Sequence, residues 1–419
     1  NLGNQANRVL LTTGAWVYIT KTFTFDAAAD YSLSLNLEFG KLDGVTQIDG
    51  ITSSVTGGAT LASGITWDGS TDNDWNTTTN WTPERLPTAA DAYTIIPAGL
   101  TNYPTLGSAV DINSVTMANG SSLISTSTFS GSITYTRNLA TTNWYLVSSP
   151  VMGQDIDTFV SAEGLASGTN NNNMGLASYD NTSAAWDYYQ NGTSGSGDFA
   201  LGSGRSIKLA AAGDISFTGT MPVDNVSIAI NSNTNGYNLV GNPYPSYIAA
   251  NTGADSSNNI LTVNTSILSE ATLWFWNQAT NTYDAINQAP SSMYIAPAQG
   301  FFVETSGTNS LSITEAMQSH QSADTFQRLS SERPEISLVL SDGEITRDTD
   351  VYYIDGTTTG FDNGYDSTTF GGAANSFSIY THLVANSNGQ DLAIQSLPNS
   401  DLDTMIIPVG ITAAAGEQI

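Results

Sequence analysis

The chain has 419 residues, carries 10 Lys+Arg against 38 Asp+Glu for a formal net charge of −28, and has no cysteine. Phosphate backbones and anionic membrane surfaces are held by clustered cations, so this balance argues against both nucleic-acid and membrane partners, and disulfides, thiolate nucleophiles and cysteine metal sites are excluded. Its 18 Tyr, 14 Phe and 8 Trp supply ample core material, and no apolar run reaches the roughly 18–20 residues of a spanning helix.

Residues 1–65 read as a strand-rich N-terminal segment, in which Tyr31 to Phe39 alternates apolar and polar residues at the period of a half-buried strand. Residues 66–140 form a small Trp-rich β-module, a β-roll or sandwich, opening on Trp67, Trp75 and Trp81 and continuing in short strands separated by Gly, Asn and Ser. Two β-repeats follow, at 141–222 and 223–318. Residues 319–334 are polar and read as a linker containing His320. Strands return in 335–419 as a β-sandwich. The pattern stops in mid-course at Gly416-Glu417-Gln418-Ile419, from which a continuing chain is expected. The absence of Met at Asn1 suggests a processed or trimmed start.

The duplication is visible residue by residue. Trp144-Tyr-Leu-Val-Ser-Ser-Pro150 reappears as Tyr237-Asn-Leu-Val-Gly-Asn-Pro243, and Leu176 to Asp180 as Leu273 to Asn277. Ile215 to Met221 returns as Leu311 to Met317. The spacing, about 95 residues, exceeds the roughly 20–50-residue period of solenoids and predicts a duplicated β-domain. The expected fold is all-β, with tandem β-sandwich or β-roll domains.

The chemistry-bearing residues are sparse. His320 and His382 are the two histidines, and no Gly-x-Ser-x-Gly context accompanies either. Glu163, Glu270, Glu304 and Glu315 share no surrounding motif. The reading is therefore non-enzymatic, with no catalytic residue and no organic cofactor. Calcium is the one metal the acids could serve, through Asp68, Asp72 and Asp74 in one loop and Asp362 and Asp366 in another. The plainer role for these aspartates is to close turns. Trp67, Trp75 and Trp81 could stack on sugar rings or could cap a core. The segment 31–39 and the final strand region 405–419 could pair between subunits.

Several motifs carry a resemblance. Asn238-Leu-Val-Gly-Asn-Pro-Tyr-Pro-Ser246, Trp274-Phe-Trp276 and Ile295-Ala-Pro-Ala-Gln-Gly-Phe-Phe-Val303, with Gly360 to Asp366 and Leu392 to Pro398, occur in that order. They resemble large secreted β-rich proteins of the Bacteroidota, over roughly residues 66–419. The resemblance implies an extracellular or cell-surface location and export by the type IX secretion machinery, with a C-terminal sorting domain that this sequence does not contain. It also implies O-glycosylation acceptors at Ser367 and Thr404, which follow aspartates. The function expected from all this is a non-catalytic structural or adhesive protein that self-associates into a filament or layer. The alternatives are a protein that binds surface polysaccharide, or an ancillary part of a larger secreted enzyme.

Overall fold

Strands of the Trp-rich region stack mainly in parallel, with one two-residue strand antiparallel to the first. In the computed structural model, which describes residues 64–169, 172–321, 334–400, 402, 404–416 and 419, these strands are β1 (Gly64–Trp67), β2 (Trp81–Thr82), β3 (Tyr93–Ile96), β4 (Thr105–Leu106), β5 (Val110–Met117), β6 (Ile124–Ser125) and β7 (Phe129–Leu139). β1, β3, β5 and β7 are successive parallel neighbours, while β4 and β6 pair in parallel in a second small sheet. The chain thus winds through these strands as a short β-helix. Alternation sets what lies inside: Ile65, Ile96, Val115, Met117, Ile133 and Tyr135 point inward and are buried.

The first repeat contributes β8 (Tyr145–Ser148), α1 (Ile156–Ala162), β9 (Asn173–Asp180), β10 (Ala185–Gln190), β11 (Gly204–Ile207) and β12 (Gly213–Gly219). The second contributes β13 (Val226–Ile230), β14 (Tyr237–Gly241), β15 (Tyr247–Ala249), α2 (Ile260–Asn264), β16 (Glu270–Asn277), β17 (Thr282–Ile286), β18 (Tyr294–Ile295), β19 (Gly300–Glu304), β20 (Asn309–Ile313) and β21 (Gln318–Ser319). The four-stranded sheets run β10-β9-β11-β8 and β17-β16-β19-β14, the same order of equivalent strands. The strand that precedes each four-stranded sheet pairs with the strand that follows it, β7 of the Trp-rich region with β12 and β13 with β20. The helices match too: Asp155 and Asn259 cap them by accepting the backbone N–H of Thr158 and Thr262. Both open on a buried isoleucine, Ile156 and Ile260.

Pairing and packing run across the expected 140/141 boundary. β12 closes the six-stranded sheet begun by β1, and one apolar cluster extends from Ile65 and Trp67 to Phe217 and Met221. The start of the expected linker is also corrected. Ser319 lies in β21, paired with β15, and His320 is packed into the fold because both ring nitrogens find hydroxyl partners. The rest of that segment, 322–333, lies outside the described residues, as do 1–63 with the alternating stretch 31–39.

The C-terminal region supplies β22 (Glu335–Ser341), β23 (Thr346–Tyr353), β24 (Ser367–Thr368), β25 (Ser378–Thr381), β26 (Leu392–Leu397) and β27 (Val409–Thr412). They form one sheet in the order β22-β23-β26-β25-β27, with β24 also on β26. The fold is all-β throughout, with several sheets packed on one another.

Candidate functional site

The Trp cluster is a core element, which corrects the expectation of a sugar-stacking platform. Trp67, Trp75 and Trp81 are 0%, 2% and 0% exposed. Trp81 meets the other two edge-on, with ring centroids 5.0 and 4.7 Å away. The Nε1 of Trp67 donates to the Asn102 carbonyl and that of Trp81 to the Trp75 carbonyl, each at 2.9 Å. The three rings fill the interior beside β1 and β2, and the Nε1 groups of Trp67 and Trp81 are satisfied there. None of the three offers a face to a ligand.

The aspartate loops are built to receive N–H and O–H donors. Asp68 accepts from the backbone of Ser70 and the hydroxyl of Thr82, and Asp74 accepts from the backbone of Asn76. Asp72 accepts from the Asp74 backbone and the Asn80 amide. These bonds hold the Asp68 and Asp72 carboxyls below the usual carboxylate range, led by Thr82 and Asn80 respectively. In the second loop Asp362 accepts from the Thr358 backbone, while Asp366 accepts from the backbones of Ser396 and Asp362. Among the described residues no group of three or more His, Asp or Glu side chains could hold a metal ion. The turn-closing role is the one these contacts express.

Ser367 is fully buried, where its hydroxyl bonds the Thr272 hydroxyl at 2.8 Å and the Asn287 amide at 2.7 Å. A glycosyl group has no room there, so this acceptor expectation is corrected for the folded chain. Thr404 is exposed.

The histidines occupy two different settings. His320 lies between the hydroxyls of Thr105 and Ser122, both at 2.8 Å, and burial pushes its pKa down to about 4. It therefore pins the end of the second repeat to two neighbouring coils of the β-helix as a neutral ring. The Nε2 of His382 meets Asp391 at 2.9 Å, and its ring stacks on Tyr380. No serine or threonine hydroxyl bonds the His382 ring among the described residues.

Two further features stand out, the first not anticipated from the sequence and the second expected only at the final strand region 405–419. One is a buried polar seam between the second repeat and the C-terminal sheet. Glu270, at the start of β16, accepts the backbone N–H and the hydroxyl of Thr368, each at 2.8 Å. Burial pushes Glu270 up to about 7 and Asp366, nearby in sequence to Thr368, also to about 7. A glutamate at the edge of the apolar run Ala271 to Trp276 was the signal available in the sequence.

The other feature lies at the two margins of the C-terminal sheet. β22 pairs with β23 alone and β27 with β25 alone among the described residues. Both margins show apolar side chains to solvent: Val339 is 61% exposed on β22, and Val409 and Ile411 are 48% and 49% exposed on β27. Ile406, just before β27, is 82% exposed. Residues 404–416 contain no charged side chain in a chain of net charge −28. Natural edge strands are often blunted by charge, and β27 carries none.

The model of a family described as a domain of unknown function (DUF8693) matches residues 110–418, and the chain belongs to that family. No curated protein and no solved structure matches it.

Proposed function

We propose that this family member is a non-catalytic structural protein of the cell exterior that assembles by adding the β27 edge of one copy to the β22 edge of the next. The observation that carries the reading is that, among the described residues, one sheet has two different margins without a further strand, each with exposed apolar side chains. Head-to-tail pairing of unlike edges does not close on itself unless the rotation returns to the start, so it builds a filament. Backbone N–H and C=O groups along the edge supply the bonds, and Val409 and Ile411 supply apolar area. The uncharged 404–416 segment keeps the contact free of the repulsion expected between two strongly acidic chains.

The surface location and the type IX export route belong to this proposal and rest on the motif resemblance alone. The polysaccharide alternative has lost its aromatic platform to the core. Negative-stain electron microscopy at raised salt tests the proposal: filaments in the native protein, and single particles in a Val409→Lys, Ile411→Lys variant, are expected. Single particles from the native protein at every salt and protein concentration would overturn it.

A further inference from the structure

The outer face of the six-stranded sheet carries a rank of hydroxyls in register. Neighbouring strands place Thr82 beside Thr66, Thr66 beside Ile95, Ile95 beside Thr116, Thr116 beside Thr134, and Thr134 beside Thr218. Five of these six positions, one per strand, are threonine, and Ile95 keeps a β-branched methyl in the sixth. Thr82, Thr116 and Thr218 are exposed, and Thr66 and Thr134 are half-buried. Shorter ranks flank it, Ser114 beside Ser132 on one side and Thr136 beside Ser216 on the other.

Strand spacing puts successive members of a rank about 4.7–4.9 Å apart, and two-residue steps along each strand put the ranks about 6.6–6.8 Å apart. Side-chain ladders of this kind also hold a sheet flatter than usual. The Thr134 and Thr218 hydroxyls bond each other at 2.9 Å, which fixes their rotamers. No residue of the rank is ionisable, and this in a chain with 38 acidic residues. Asp111 and Asp214 stand outside the rank, near the ends of their strands, and at the β2 end Asp68 accepts the Thr82 hydroxyl at 2.7 Å, so the rank open to a partner runs from Thr66 to Thr218.

A rank of threonines lacks the cations that a polyanion needs. Uncharged hydroxyls and methyls repeating in two directions fit a partner that is itself uncharged, hydroxyl-bearing and periodic. We propose that this face binds ice, the hydroxyls joining the oxygen lattice and the threonine methyls ordering the water between ranks.

The test is growth of a single ice crystal in the purified protein, together with partition of the protein into a slowly growing ice hemisphere. Two variants accompany it: Thr116→Lys with Thr218→Lys, both at exposed positions, and the conservative Thr116→Ser. The native chain and Thr116→Ser are expected to facet the crystal and enter the ice. The double lysine variant should lose both effects while keeping its melting temperature. Smooth, disc-shaped crystals with the native protein would overturn the proposal, as would undiminished faceting by the double variant. Pull-down on microcrystalline cellulose or chitin, lost in the double variant without any effect on ice, would instead give the face to an ordered glycan and also overturn it.

Discussion

Thr368 gives both its backbone N–H and its hydroxyl to the carboxyl of Glu270, each at 2.8 Å, across the boundary between the second repeat and the C-terminal sheet. The carboxyl is buried there, and Asp366 is buried beside the same strand. Burial, with smaller contributions from neighbouring acids, raises both to about 7. This seam couples the cohesion of the chain to pH.

The sign follows from proton counting. Between about pH 4.5 and 7 the folded chain keeps protons on these two groups that the unfolded chain has released, so stability falls as pH rises through that window. His320 opposes them: its folded pKa of about 4 lies below the unfolded value, so its contribution is lost as pH falls through the same range. Asp91, held at about 2 by Arg85, adds stability that disappears only in stronger acid. Glu270→Gln keeps an acceptor for Thr368 and removes the titration. Its melting temperature should decline less than that of the native chain between about pH 5 and pH 8, as scanning calorimetry would show. An unchanged pH slope would mean that Glu270 does not titrate in this range.

The two repeats are joined through aromatic rings. Phe302 lies 5.1 Å from Tyr179 of the first repeat, 5.6 Å from Tyr283 of its own, and 5.1 Å from Phe370 of the C-terminal region. Phe302→Ala should cost about 3–5 kcal/mol, the usual range for a large buried ring. Denaturant unfolding checks this, and a loss well under about 1 kcal/mol would show that the seam repacks.

Close backbone approach fixes the same joint. A Cβ at Gly241 would sit 2.3 Å from the Cβ of Ser148 and 2.8 Å from the Gln299 carbonyl oxygen. Gly241→Ala must part β14 from β8, at a cost of about 1–3 kcal/mol. A melting temperature equal to that of the native chain would contradict this.

Calcium and EDTA should leave the melting temperature alike, because Asp68, Asp72, Asp362 and Asp366 already accept protein N–H and O–H groups. A rise on adding calcium, lost in Asp72→Asn, would show that the first loop rearranges to take the ion.

The duplication was legible because equivalent strands keep equivalent residues. The Tyr179–Trp186 pair of the first repeat and the Trp276–Tyr283 pair of the second occupy matching cross-strand positions. Burial of the Trp cluster was not legible. A Trp followed by turn-forming Asp and Asn looks the same whether its ring covers a rung or faces water. The parallel winding of β1, β3, β5 and β7 was also hidden, since Gly and Asn punctuate coils and hairpins alike. His320 was misplaced because its neighbours are polar, while its partners Thr105 and Ser122 lie far away in sequence. The threonine rank exists only in the register between strands, which no single segment records. The final strand region 405–419 could be singled out from the sequence, whereas the second margin, β22, becomes visible only once the neighbours among the described residues are assigned.

Assembly through the C-terminal sheet is the central claim, and sedimentation velocity across protein concentration and salt tests it most directly. The native chain should shift to larger species as concentration and salt rise, since salt screens the like charges, and Val409→Lys with Ile411→Lys should remain a monomer under the same conditions. A native chain that sediments as one monomeric species throughout, or a double variant that associates as the native chain does, would contradict the account.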